Sequence, residues 1–163
     1  MSVGLFAYGA YDLAHPGRGS LLDGVDLAIH ETGHLVFAPF GEVVGFLGGT
    51  LLQLIFPLVF VGYFVRRGDR HAASVALWWV AQNLWNVSVY IADARAEELP
   101  LVGGGEHDWA YLLASAGWLA HDTQIARMVH HAGVLIFLAA IAWGVVAAMR
   151  PAAAAPDEAP QPA

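Results

Sequence analysis

The chain has 163 residues, of which 58% are hydrophobic, and it carries a formal net charge of −7. This apolar share exceeds that of an ordinary soluble domain and predicts an integral membrane protein, while the negative charge argues against nucleic acid as a partner. The absence of cysteine excludes disulfides and thiolate metal sites. Any bound metal would need histidine, carboxylate or water ligands, a set that suits zinc or iron.

Residues 1–20 are predicted to form an N-terminal interfacial segment. They are rich in glycine, and Pro16, Gly17 and Gly19 interrupt any helix towards the end of the segment. The apolar stretch at 3–14 is too short to cross a bilayer. The segment also lacks the basic head and the cleavage site of a signal peptide, so we expect no removable leader.

The first predicted membrane helix runs from 21 to about 38 and stops near Pro39. Four ionisable side chains recur along it with helical spacing and share one face: Asp23, Asp26, His30 and His34. Because ionisable groups are costly in a bilayer, this stripe should face a bundle interior or a water-filled cavity. The alternative is an amphipathic helix at the membrane surface.

Two further spans are predicted at 43–65 and 72–94. The earlier span has a face without side chains, which allows a neighbouring helix to pack closely. This face is made of Gly45, Gly48 and Gly49. The later span carries a second polar stripe, made of Asn83, Asn86, Tyr90 and Asp93. Two intramembrane polar stripes in one small protein are best explained if they face each other.

The rest of the chain is predicted to hold a long acidic connection at 95–128 and a last span at 129–149. Within the connection, the apolar stretch 109–120 suits an interfacial or re-entrant helix. The alanine- and proline-rich tail, 150–163, is predicted to be disordered. The expected fold class is therefore all-α, a polytopic transmembrane helix bundle over 21–149 with about four spans. Arginines after the second span predict cytoplasmic termini, and we expect a bacterial inner membrane.

The strongest chemical signal is the run His30-Glu31-Thr32-Gly33-His34. It matches H-E-x-x-H, in which two histidines one helical turn apart bind zinc and the glutamate acts as general base. A hydrolytic zinc site needs a third protein ligand and one open position. The sequence offers Asp93, His107 and Asp108 for this role, and we favour Asp93 because it ends the second polar stripe. Asp108 could instead orient His107 as the ligand without contacting the metal itself.

This pattern resembles the site-2-protease-like membrane zinc metallopeptidases, in the H-E-x-x-H motif of the first hydrophobic helix and in an aspartate at the end of a later one. The resemblance implies intramembrane zinc and hydrolysis of peptide bonds in or near the bilayer. Carried over by position, it implies His30 and His34 as ligands, Glu31 as the base and Asp93 as the third ligand. The expected partners are then the lipid bilayer and a membrane-protein or peptide substrate.

Two other interpretations stay open at this stage. The chain could be a non-catalytic accessory subunit of a larger membrane complex or a homo-oligomer, with its histidines holding a structural metal or forming a hydrogen-bonded cluster. Alternatively, His34 and His130 on facing helices could bind a b-type haem.

Overall fold

A computed structural model of the protein describes residues 2–15, 21–102 and 105–149. Within these ranges there are six α-helices and no β-strand, so the all-α prediction is confirmed. The helices are α1 (Ser2–Ala14), α2 (Leu21–Phe37), α3 (Glu42–Arg66), α4 (Arg70–Ala92), α5 (Asp108–Ser115) and α6 (Asp122–Met149). The predicted breakers at 16–19 and the predicted disordered tail, 150–163, lie outside the described residues.

Tight connections fold α2, α3 and α4 back on one another. A single 3₁₀ turn that contains Pro39 ends α2, and Gly41 then adopts φ +104°, a conformation that suits glycine. At the other end of α3, Gly68 also has a positive φ, and the Asp69 side chain accepts a hydrogen bond of 2.9 Å from Ala72 N. This aspartate is the N-cap of α4, so α3 and α4 form a helical hairpin.

Helix α4 lies at the centre of the molecule. It packs against α6 on one side and α3 on another, and α1 lies against both α4 and α6. The main core cluster forms where α4 meets α6, and the rings of Trp85 and Phe137 are 5.3 Å apart there. The predicted interfacial segment therefore contains a helix that is packed on the bundle, with Phe6 stacked on Phe137.

Helices α2 and α3 approach each other closely because glycines meet at their crossing. A Cβ atom built on Gly48 would lie 2.7 Å from the Gly33 carbonyl oxygen, and one built on Gly33 would overlap Gly48. Such distances leave no room for a side chain on either helix. The glycines thus bring the histidine-bearing helix against the polar residues of α3.

Two helical segments are long and apolar enough to cross a membrane, Glu42–Arg66 and Leu119–Met149. They match the second and fourth predicted spans, although the last helix begins at Asp122 and not near 129. Helix α2 has only 17 residues with several charges, and α4 is rich in polar residues, so neither meets the same criteria. The four-span arrangement therefore remains a prediction.

Candidate metal centre

Two histidines of α2 and one aspartate of α5 converge in the structure. The Asp108 Oδ2 atom lies 2.9 Å from His30 Nε2 and 3.2 Å from His34 Nε2. One ligand atom from each of the three residues lies within 4.8 Å of the others. His30 and Asp108 are buried, and His34 is half-buried. The helical turn between the histidines places both rings on one face of α2, as the motif predicts.

The other ring nitrogens of the two histidines fix which atoms carry hydrogen. His30 Nδ1 contacts Gln53 Oε1 at 3.0 Å, and His34 Nδ1 contacts the Gly45 carbonyl oxygen at 2.8 Å. The amide of Gln53 is oriented in turn, because its nitrogen donates to Asn86 Oδ1 at 2.9 Å. The Gly45 carbonyl oxygen can only accept, so His34 Nδ1 donates to it, and His30 Nδ1 donates to Gln53 when the amide oxygen faces the ring. A neutral imidazole then presents a lone pair at Nε2.

When both rings are neutral, three acceptor atoms face one another without a hydrogen between them, whereas a protonated ring donates to Asp108. A proton on one ring would satisfy one of these contacts, whereas a cation bound between the three atoms would satisfy all of them. In a tetrahedral zinc site with ligand bonds near 2.0–2.1 Å, neighbouring ligand atoms are about 3.3 Å apart. The observed carboxylate-to-imidazole distances of 2.9 and 3.2 Å are close to this spacing. The group could therefore hold a metal ion.

Asp108 reaches this position because α5 begins beside the end of α4. Its backbone N–H donates to Tyr90 Oη at 3.3 Å, and the His107 ring packs on the Tyr90 ring at 4.2 Å. His107 is the N-cap of α5, and its Nδ1 accepts a hydrogen bond from Ala110 N. Burial acts to raise the pKa of Asp108, but hydrogen bonds from His30 and His34 outweigh it and hold the pKa below its ordinary value. The carboxylate is thus ionised, as a metal ligand must be.

The aspartate that the sequence favoured as third ligand lies elsewhere. Asp93 ends α4, and its two carboxylate oxygens accept hydrogen bonds from the backbone of Glu98 and Leu99, each at 3.0 Å. Its remaining neighbour is His107, whose Nε2 is 3.4 Å away. Asp93 and His107 therefore position the start of α5, and Asp108 is the residue that joins His30 and His34. The sequence feature that indicates a ligand here is the pair His107-Asp108, which directly precedes the apolar stretch 109–120.

Glu31 lines a cavity of about 500 Å³ next to the histidines. His34, Asp108 and Tyr90 line the same cavity, and Phe46 and Glu42 of α3 contribute to its wall. A cation held by the three converging residues would therefore be reachable from this cavity. Glu31 is placed where it could exchange a proton with a molecule bound there. The haem interpretation paired His34 with His130. In the structure His130, on α6, lies beside Trp85 of α4, and their ring centroids are 6.5 Å apart.

Replacing Gly49 by alanine should disrupt this centre. A Cβ atom at Gly49 would overlap His30 Nε2 and lie 2.6 Å from His34 Nε2, so both rings would have to move. We expect metal binding to be lost or to weaken at least about 100-fold, because both imidazole ligands share a total binding free energy of about 10–16 kcal/mol. The matched control is Gly62→Ala on the same helix, where a Cβ atom meets nothing within 4 Å. Equal metal affinity in the two variants, measured by competition with a chelating dye, would contradict the assignment.

Comparisons of the chain with protein-family profiles, with curated proteins and with solved structures find no match. Function must therefore be inferred from the geometry of the site itself.

Proposed function

We propose that the protein is a membrane-embedded, metal-dependent hydrolase that cleaves peptide bonds in or near the bilayer. The observation that carries this proposal is the convergence of one possible ligand atom from each of His30, His34 and Asp108, with Glu31 on the wall of the adjoining cavity. Two imidazoles and one carboxylate leave a tetrahedral ion one open position, which is the ligand set of hydrolytic zinc sites. Zinc is the proposed ion, and iron would accept the same ligands.

Each residue of the site has a distinct role in this reaction. His30, His34 and Asp108 would hold the zinc ion, which would supply Lewis-acid activation of water near neutral pH. Glu31 would accept a proton from the attacking water as the carbon–oxygen bond forms, and it would deliver that proton to the leaving amine when the carbon–nitrogen bond breaks. Gln53 and the Gly45 carbonyl hold the imidazole rings in the orientation that binding requires.

The proposed membrane arrangement uses α2, α3, α4 and α6 as four spans, with the polar faces of α2 and α4 turned towards each other. Two hydrogen bonds between these helices support this orientation. Trp79 donates to Asp26, and Gln82 donates to Asp23. Arg66, Arg67 and Arg70 cluster at the hairpin between α3 and α4, and under the positive-inside rule we propose that this hairpin faces the cytoplasm of a bacterial cell. The metal centre then lies towards the opposite side of the membrane.

The proposal is tested with purified protein reconstituted in lipid vesicles. We expect about one zinc per chain and cleavage of members of a library of transmembrane peptides. Removal of the ion with a chelator should stop cleavage, and added zinc should restore it. Stoichiometric metal without cleavage of any peptide would instead favour the accessory-subunit interpretation, in which the ion has a structural role.

A further inference from the structure

A basic patch lies at the hairpin between α3 and α4, roughly 25 Å along α3 from Gly49 of the metal centre. It consists of Arg66, Arg67 and Arg70, and all three residues are exposed. None of them forms an ion pair with a carboxylate in the part of the chain that the structure describes. Asp69, between them, accepts a backbone hydrogen bond as the N-cap of α4. Three guanidinium groups are therefore available to an anion from outside the chain.

The charge of this patch is opposite to that of the chain as a whole. Three arginines and one aspartate give residues 66–70 a net charge of +2, whereas the whole chain carries −7. At the other ends of the two helices, Glu42 begins α3 and the exposed Glu98 follows α4. The arginine at that end, Arg95, is paired with the buried Asp122 at 2.7 Å. The hairpin is therefore the end of these two helices that attracts an anion.

The surface of α3 that leads to the patch is apolar and exposed. Phe56, Phe60, Tyr63 and Arg67 share one face by their helical spacing, and the three aromatic residues have exposed fractions of 39–49%. Tyr63 marks the border of the apolar surface. The Arg67 guanidinium lies 5.6 Å from the centre of the Tyr63 ring, and Arg67 Nη1 donates a hydrogen bond of 3.2 Å to Tyr63 Oη. Since α3 is long and apolar enough to cross a membrane, this border suits the level of the lipid headgroups.

We propose that Arg66, Arg67 and Arg70 bind the phosphate group of an anionic phospholipid whose acyl chains lie along the exposed face of α3. Guanidinium groups suit this role because their paired N–H donors match the oxygens of a phosphate. A zwitterionic headgroup carries its own cation beside the phosphate and gains less from a net positive patch. The inference requires α3 to lie in a membrane, and it rests neither on the metal centre nor on peptide hydrolysis.

The first test measures lipid binding to the delipidated wild-type protein in detergent by native mass spectrometry. We expect phosphatidylglycerol to bind at least about 10-fold more tightly than phosphatidylcholine with the same acyl chains. Equal affinities for the two lipids would overturn the proposal without the need for any variant.

Variants then locate the preference on the chain. Replacing Arg66, Arg67 and Arg70 together by glutamine should remove most of it, because each arginine near an anionic surface contributes about 5-fold in affinity. The matched control is Arg127→Gln, an exposed arginine near the beginning of α6, at the opposite end of the bundle from the hairpin. This control should keep the preference. A preference that survives unchanged in the triple variant would assign the lipid to another surface and overturn the proposal.

The last test separates a lipid from a free phosphate ion. Phosphatidylglycerol should raise the Tm of the wild-type protein in micelles by about 3–5 °C at ten times its dissociation constant, and phosphatidylcholine should not. Inorganic phosphate at the same concentration should leave Tm unchanged, because it has no acyl chains to lie on α3. An equal rise in Tm with inorganic phosphate would show that the patch binds a small anion, and the lipid assignment would be wrong.

Discussion

Replacing Asp108 by asparagine is expected to lower the affinity for zinc about 100-fold or more. The substitution preserves the size of the side chain but removes the charge that attracts the ion and balances the two imidazoles. Zinc binding by a small protein site is worth about 10–16 kcal/mol in total, so one ligand of three or four accounts for a factor of this order. Competition with a chelating dye at constant pH measures the change directly.

The matched control for this experiment is Asp93→Asn, because the sequence alone favoured Asp93. In the structure its carboxylate binds backbone N–H groups after α4 and lies 3.4 Å from His107. Its loss should loosen the start of α5 and weaken zinc binding by no more than the 10–100-fold typical of outer partners. A larger loss of affinity in Asp93→Asn than in Asp108→Asn would reverse the assignment of the third ligand.

Replacing Glu31 by glutamine is expected to reduce peptide hydrolysis by about 10²–10⁴-fold while the zinc content stays unchanged. The amide cannot accept the proton of the attacking water, but it preserves the shape of the cavity wall. Glu31 does not belong to the group that could hold the ion. Cleavage rates in vesicles and elemental analysis of the same samples separate the two effects.

Glu42→Gln provides the comparison for this second experiment. Glu42 lines the same cavity from the first turn of α3 and is exposed, so its neutralisation changes the local charge as much as Glu31→Gln does. Its activity should remain within a few-fold of wild type. If the two variants lost activity equally, the effect would come from the charge of the cavity and Glu31 would not be the base.

The shared face of the two motif histidines could be predicted from the sequence. A spacing of four residues places His30 and His34 on one face of any α-helix, whatever its surroundings. The polar stripes of 21–38 and 72–94 likewise implied that these segments face each other, because unpaired polar groups are costly in a bundle. Gln53 is the side chain of α3 that contacts His30 in the structure, and no sequence pattern had paired these two residues.

The identity of the third ligand could not be predicted from the sequence, because it depends on tertiary structure. Asp93 and Asp108 are both aspartates near the same end of the bundle, and periodicity cannot rank them. The choice is made by how the chain folds back after α4: Asp93 is occupied in capping that connection, and His107 and Tyr90 place α5 so that Asp108 points inward.

The number of membrane spans remains a prediction for a related physical reason. Hydropathy identifies helices that are long and apolar enough to cross a membrane, and only the segments of α3 and α6 meet that criterion among the described residues. Helices α2 and α4 devote one face to polar residues, which lowers their average hydropathy even if the other face meets lipid. Exposed apolar residues on α2, such as Leu35 and Val36, are consistent with such a face.

The most direct test of the account is X-ray absorption spectroscopy at the zinc edge on the purified wild-type protein. The predicted result is a single site with two imidazole nitrogens at about 2.0–2.1 Å and oxygen ligands at about 2.0–2.2 Å, and loss of one oxygen in Asp108→Asn. A protein that retains no zinc after purification in its presence, or a spectrum without imidazole scattering, would contradict the claim that His30, His34 and Asp108 form a metal centre.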